Sequence, residues 1–381
     1  MRVILTGGGT AGHINPAIAM ADLIRRNEPD SEILFVGTPR GLEARSVPEA
    51  GYRLETISVR GLRRSLSPKN VKAAFLLLQS LRKSKQIIKD FNPDLVIGTG
   101  GYVCYPPLRQ AARAGIPTVV HESNSVPGLA VRQLQGRVDR ILLNYESTKE
   151  SLTAKEKAVR VGNPVRGSFG LLDRAEARKQ LNIPQDAFFV LSFGGSLGAD
   201  RVNTAILELM AGFGSKHSDV LQIHATGRSR FDQVKAQFDA AELREEQGVR
   251  VVPYLPEAEM PAYMAACDVI LCRAGALTLT EIALSGCCAI LIPSPNVTGN
   301  HQYKNAKVLA DGDGAILLEE ETLAEGAVVK LVEELYGDPT RRETLRQNIR
   351  KFADPAAGAA VWQELTALLN EKGRRSQNTT R

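Results

Sequence analysis

Two doubly wound α/β domains, each built on a parallel sheet, are the fold class that this sequence predicts, and three observations predict it. Short apolar, strand-like runs alternate with helical patterns along nearly all of the 381 residues, which is the pattern of βαβ units. The chain is longer than one α/β core usually runs, so two domains are expected. Each half also opens in the same way. Val3-Ile4-Leu5-Thr6-Gly7-Gly8-Gly9 is echoed by Val190-Leu191-Ser192-Phe193-Gly194-Gly195-Ser196, a strand followed by a glycine turn. Sheets of this kind bind ligands beyond the carboxyl ends of their strands, so a cleft between the two domains is expected.

Taken in order, the first series places strands near 2–6, 32–37, 54–59, 94–98, 117–120, 140–143 and 158–161. The alternation breaks near Gly162-Asn163-Pro164, and an Arg-rich helix from Arg174 to Leu181 leads into the second series. Its strands fall near 188–193, 220–224, 249–252, 268–272, 289–292 and 315–318. The domains are therefore set at 1–163 and 164–352, followed by a C-terminal segment, 353–381, whose last residues are polar and expected to fray.

Composition excludes several classes. Apolar residues make up 43% and charged residues 24% of the chain, as in soluble globular proteins, and no run approaches the length of a membrane span. The N-terminus enters a strand directly, without a signal-peptide pattern. Five cysteines sit mostly inside apolar runs without metal spacing, and adjacent Cys287-Cys288 fits buried strand residues of a reducing compartment. There is no HExxH pattern and no cysteine cluster, so no metal and no cofactor are expected. Aromatics are scarce and no nucleic-acid-binding module is visible, so no nucleic-acid partner is expected.

Two motifs point to chemistry that the rest of the chain does not support. Gly7-Gly8-Gly9-Thr10-Ala11-Gly12 fits G-x-G-x-x-G after a strand, but the second strand ends Phe35-Val36-Gly37-Thr38 without the acid that a dinucleotide ribose requires. What remains is a set of backbone N–H groups at a helix start, suited to a phosphate or pyrophosphate. Gly194-Gly195-Ser196-Leu197-Gly198 fits the nucleophile elbow of hydrolases, yet His301 downstream has no evident acid partner. A phosphate contact from Ser196 and the adjacent amides is the better reading. Asp311-Gly312-Asp313 is formally D-x-D, but it lies between a helix and a strand at the amino edge of the sheet and reads as a turn. His13 follows the glycine loop in the first helical turn, either as a structural residue or as a catalytic one facing the cleft. Asn124, closing His121-Glu122-Ser123-Asn124 at a strand's carboxyl end, is either a ligand contact or a turn residue.

The stretch from 268 to 306 reads strand, glycine turn, helix, strand, polar loop, helix. Thr278 and Thr280 put hydroxyls near the start of the first helix, where free N–H groups and the helix dipole favour anions. Glu281 lies about a turn further, placed to accept from ligand hydroxyls. The loop that follows offers Asn300, His301, Gln302 and Asn305, neutral groups able to read sugar hydroxyls. A surface loop with polar decoration is the bland alternative.

Residues 60–89 are the second unusual segment. They hold nine basic residues, Arg63, Arg64, Lys72, Arg82 and Lys83 among them, and no acid. Phe75, Leu76, Leu78 and Leu81 interleave with them and cannot all face one core. Basic and apolar residues together suit an anionic membrane surface. A packed helix with a solvated basic end is the alternative.

Seven motifs occur in order: Gly7–His13, Gly98-Thr99-Gly100-Gly101-Tyr102, His121–Asn124, Gly162-Asn163-Pro164-Val165-Arg166, Gly194–Ala199, Arg273-Ala274-Gly275-Ala276 through Glu281, and His301-Gln302 with Asn305. Over nearly its full length the chain resembles the MurG family of bacterial peptidoglycan glycosyltransferases, in its Firmicutes-type branch. The resemblance implies the GT-B architecture, two Rossmann-like domains facing across a cleft, with a C-terminal helix (about 356–370) crossing back to the first. It implies transfer of N-acetylglucosamine from UDP-GlcNAc to the 4-hydroxyl of lipid I, giving β-1,4-linked lipid II with inversion and without a metal. That places the enzyme peripherally on the cytoplasmic face of the cell membrane, in peptidoglycan synthesis and so in cell shape and division, with room for other cell-wall synthesis proteins as partners.

By position, the resemblance gives the donor Arg166 and Leu255 (with the Tyr254 backbone) at the uracil and Ser196 at the diphosphate. Ala276, Leu277, Thr278, Leu279 and Thr280 surround the phosphates, Glu281 takes the ribose hydroxyls, and Gln302 takes the GlcNAc hydroxyls. Thr10, Ala11, Gly12 and Asn124 close on the donor sugar. Gly8, Gly9, Gly100, Gly101 and Tyr102 cradle the acceptor pyrophosphate. His13 is the candidate general base or stabiliser of the leaving diphosphate. Ala11, Leu197 and Asn15 depart from the residues usual in the family at those positions. A diacylglycerol glycosyltransferase, a UDP-GlcNAc 2-epimerase and a non-catalytic nucleotide-sugar sensor are the competing readings.

Overall fold

The computed structural model describes residues 1–59, 68–195 and 198–379, with side chains throughout except at 68–74, 298 and 374–379. Two compact units form, Met1–Arg166 with Asp354–Arg381, and Gly167–Ala353.

The first unit runs β1 (Arg2–Thr6), α1 (Ala11–Asn27), β2 (Glu32–Gly37), α2 (Glu43–Glu49), β3 (Arg53–Thr56), α3 (Pro68–Phe91), β4 (Leu95–Gly98), α4 (Tyr105–Arg113), β5 (Thr118–Glu122), α5 (Leu129–Leu134), β6 (Arg140–Leu143) and β7 (Ala158–Arg160). Its strands order as β3-β2-β1-β4-β5-β6-β7, and all pairs are parallel. Every residue of β4 and β5 is buried, as expected when helices cover both faces of a parallel sheet. The chain order reverses between β1 and β4, so the loops after those strands diverge and leave a crevice at their carboxyl ends.

The second unit runs α6 (Arg174–Gln180), β8 (Phe188–Phe193), α7 (Asp200–Gly212), β9 (Val220–Ala225), α8 (Phe231–Ala240), β10 (Val249–Val252), α9 (Met260–Ala266), β11 (Val269–Cys272), α10 (Ala276–Ser285), β12 (Ala289–Leu291), α11 (His301–Asp311), β13 (Ile316–Leu317), α12 (Ala327–Gly337) and α13 (Pro339–Arg350). The order β10-β9-β8-β11-β12-β13, again parallel, repeats that of the first sheet, with its reversal between β8 and β11. α6 is tied to this sheet by charge. Asp268 accepts from buried Arg178 at 2.7 Å and from the Phe189 N–H at 2.8 Å, and Arg174 pairs with its other oxygen.

A last helix, α14 (Ala357–Thr379), belongs to the first unit and is longer than the 356–370 expected from sequence. Val361, Leu365 and Leu368, at helical spacing, are buried against Ile14, Ile18 and Leu23 of α1.

In the basic segment, α3 buries Ser80, Ser84, Ile87, Ile88 and Phe91 and turns other residues outward. Phe75 and Leu78 are 61% and 59% exposed, and Arg82 and Lys83 are exposed beside them, with Lys83 3.8 Å from Glu55. Leu76 is only half-buried, so it contributes less to an apolar face than expected. Arg63 and Arg64, and the side chain of Lys72, lie outside the described residues. Among those described, no helix is long and apolar enough to cross a membrane.

Candidate active site

In the first unit the predicted residues gather at the carboxyl edge of β1, β4 and β5. Two glycine turns pack back to back around His13. Gly100 and Gly101 both have positive φ, +104° and +75°, a backbone that glycine adopts without steric cost. A Cβ on Gly100 would lie 2.6 Å from His13 Nδ1, and one on Gly101 would lie 2.3 Å from the Gly8 carbonyl oxygen. Thr99 clamps the histidine from two sides. Its hydroxyl donates to the His13 carbonyl at 2.6 Å, and its own carbonyl lies 3.2 Å from His13 Nδ1. A carbonyl can only accept, so Nδ1 carries the proton in this contact and Nε2 of the neutral ring keeps the lone pair. That is the tautomer a general base needs.

Asn124 is fixed by the residue two before it. Glu122, buried, accepts from the Asn124 backbone N–H at 3.0 Å and side-chain amide at 2.9 Å with one oxygen, and from the Gly128 N–H at 2.7 Å with the other. Burial raises the Glu122 pKa while these donors pull it back. His121 faces inward. Its Nε2 meets the Gly162 carbonyl at 2.9 Å, and burial pushes its pKa down to about 4, so it serves as a neutral structural link. Tyr102 is exposed at the rim, its ring edge 3.4 Å from where a Cβ on Gly9 would be.

Several expectations change at this edge. The Gly9 N–H donates to Glu43 at 3.2 Å and is therefore already taken. Glu43, the first residue of α2, brings a carboxylate to this edge five residues after Thr38, but buried against the glycine loop rather than at the strand's end. No fingerprint in the sequence marks it; Gly37 and Gly41 leave it the room, since a Cβ on Gly37 would lie 2.6 Å from its Cγ and one on Gly41 2.3 Å from its carboxylate oxygens. Arg166, expected at a uracil in the second domain, falls in the first unit with its Nε 3.0 Å from Asp22, whose other oxygen accepts from Tyr52.

In the second unit the corresponding edge carries α10. Its N-cap is Gly275, which has no side chain to accept from the first-turn amides. Ala276, Leu277 and Leu279 are buried, Thr278 half-buried. Thr280 donates its hydroxyl to the carbonyl of Ala276, the first residue of α10, at 3.1 Å. Glu281 lies in the second turn, half-buried. The protein atoms around it, then the nearby charge of Glu257, push its pKa up to about 8. Gln302 accepts from the Ser294 N–H at 2.8 Å and so closes the loop before α11, leaving its amide nitrogen as the donor end. Leu255 is buried, and Tyr254 is stacked under Arg228 at 4.8 Å. Ser196 and Leu197 lie outside the described residues. Asp313 has φ +51° and is gripped by both Arg341 nitrogens at 2.7 and 2.8 Å, so Asp311-Gly312-Asp313 is a structural turn. No group of three His, Cys, Asp or Glu able to hold a metal occurs among the described residues.

Residues 3–143 match the glycosyltransferase family 28 N-terminal domain, and residues 189–359 match the family 28 C-terminal domain. A protein of Acetivibrio thermocellus named UDP-N-acetylglucosamine–N-acetylmuramyl-(pentapeptide) pyrophosphoryl-undecaprenol N-acetylglucosamine transferase is 39% identical over 98% of this chain and 99% of its own. The chain belongs to glycosyltransferase family 28. A second family member of the same name, from Limosilactobacillus fermentum, is 38% identical over 94% of this chain and 95% of its own. The crystal structure of MurG from Acinetobacter baumannii superposes with a TM-score of 0.73 at 25% identity, covering 97% of this chain and 99% of that one. UDP-GlcNAc 2-epimerase from Neisseria meningitidis, bound to UDP-GlcNAc, has a TM-score of 0.67 at 13% identity over 96% of this chain and 100% of that one, a likeness of fold alone. The chain is thus a glycosyltransferase of the two-domain, Rossmann-like GT-B architecture.

Proposed function

We propose that this family 28 enzyme transfers N-acetylglucosamine from UDP-GlcNAc to the 4-hydroxyl of the N-acetylmuramyl sugar of lipid I, with inversion, releasing UDP and forming lipid II. The observation that carries the reading is the full-length similarity, at 38–39% identity, to enzymes named for that transfer. The chemistry needs a base for the acceptor hydroxyl and stabilisation of charge on the departing diphosphate. His13, with Nε2 left as the basic nitrogen, supplies the first. The glycine-capped start of α10 supplies dipole and amides for the second. Glu281 takes the ribose hydroxyls, and the Gln302 amide nitrogen donates to the GlcNAc.

The amides at the start of α1 and the Gly100-Gly101 turn hold the acceptor's pyrophosphate, and Gly9 contributes its conformation. Phe75, Leu78, Arg82 and Lys83 form a face for an anionic membrane, where a lipid-linked acceptor resides, and the enzyme works as a peripheral protein on the cytoplasmic side. Purified protein, radiolabelled UDP-GlcNAc and lipid I test the reading: labelled lipid II is expected. Label in diacylglycerol instead, or conversion of the donor without any lipid, would overturn it.

A further inference from the structure

A buried carboxylate beneath a loop that receives an anion calls for a reason. Glu43 is the first residue of α2 and is 1% exposed. Its Oε1 accepts from the Thr38 N–H at 3.0 Å and the Thr38 hydroxyl at 2.6 Å, and its Oε2 accepts from the Gly9 N–H at 3.2 Å. Glycines make the room. A Cβ on Gly41 would lie 2.3 Å from both carboxylate oxygens, and one on Gly8 would lie 2.7 Å from Oε1. Gly9, held at φ +89°, is followed by Thr10, the N-cap of α1, whose carbonyl accepts from the His13 N–H at 3.1 Å.

We infer that Glu43 is a positioning residue for the reaction. By taking the Gly9 amide it fixes the left-handed turn of the glycine loop, and through Thr10 it sets where the first turn of α1 aims the His13 ring. It also takes one amide of the loop out of anion binding, so the acceptor's pyrophosphate is directed to the remaining donors. The inference rests on the proposed transfer to lipid I and on His13 as its base.

Glu43→Gln keeps the volume but replaces one acceptor oxygen with an NH2 group. Donors approach both carboxylate oxygens, so either orientation of the amide sets N–H against N–H. Thr38→Val is the milder probe, removing only the hydroxyl contact. The expected results for Glu43→Gln are faster hydrogen exchange of the 7–12 amides and a kcat lowered roughly 10- to 100-fold, as a misaimed catalytic group costs. The KM for UDP-GlcNAc stays within about twofold, because the uracil, ribose and diphosphate contacts are mostly assigned to the other unit and the glycine loop meets only the donor's sugar. Thr38→Val shows the same split more weakly, and decides the matter if Glu43→Gln does not fold. Unchanged exchange and kcat in a variant that folds would overturn the inference, as would a rise in donor KM at constant kcat. Wild-type protein that forms no lipid II would instead sink the reading on which it rests.

Discussion

At the scale of single residues, His13 and Glu281 give two predictions that differ in what they read. If His13 Nε2 is the base, His13→Ala lowers kcat by about 10²- to 10⁴-fold, while calorimetric binding of UDP-GlcNAc is unchanged. Retained turnover would remove the assignment. Glu281 gives a pH effect of defined sign. Its pKa of about 8 in the free protein lies above the ordinary carboxyl range, so between the two values the folded chain holds a proton that the unfolded chain has lost. The stability associated with this group is therefore present at low pH and is lost as pH rises towards about 8. Glu281→Gln should melt higher than wild type at pH 9 and not at pH 4. Ribose hydroxyls donating to Glu281 favour the ionised form, so UDP-GlcNAc binding should release protons near neutral pH and tighten as pH rises. Calorimetry in buffers of different ionisation enthalpy checks this, and Glu281→Gln should abolish the release. His13 could be found in the sequence because it directly follows its glycine loop. Glu43 could not, because the fingerprint looks for an acid at the strand's end and here the contact depends on a turn of five residues before α2.

At the scale of elements, the strands were legible because both faces of a parallel sheet are covered, leaving short apolar runs between glycine turns. Side-chain directions within helices were less so. Thr280 turned inward because a threonine hydroxyl in a helix readily finds the carbonyl four residues back. On α3 the buried spacing of Ser80, Ser84, Ile87 and Phe91 leaves Phe75 and Leu78 outward, a division that the run of leucines alone conceals. Replacing Phe75 and Leu78 together with Ser should weaken co-sedimentation with anionic vesicles while leaving the melting temperature close to wild type. Neutralising Arg82 and Lys83 should cost about 1 kcal/mol of binding each and remove part of its salt dependence. If vesicle binding survives all four changes, the membrane face lies elsewhere. On α14, Leu365 is fully buried against α1, and Leu365→Ala should cost about 2–5 kcal/mol, read by chemical denaturation.

At the scale of the whole molecule, a seven-stranded and a six-stranded sheet share one strand order, each reversed beside its first strand, so each has its own crevice at the carboxyl edge. The echo between residues 3–9 and 190–196 disclosed that repetition, since each marks a first strand and its glycine turn. What the sequence physics could not supply was the choice of sugar and acceptor, because a glycine turn and a helix start serve any nucleotide sugar equally. That choice rests on family membership, so the transfer is best tested on the product itself. Purified protein should be incubated with UDP-GlcNAc and lipid I, and the linkage and anomeric configuration of the added sugar determined by NMR. A β-linked N-acetylglucosamine on the 4-hydroxyl of the N-acetylmuramyl residue is expected, with one UDP released for each sugar added. An α linkage, attachment at another hydroxyl, or an untouched lipid I with a consumed donor would contradict it.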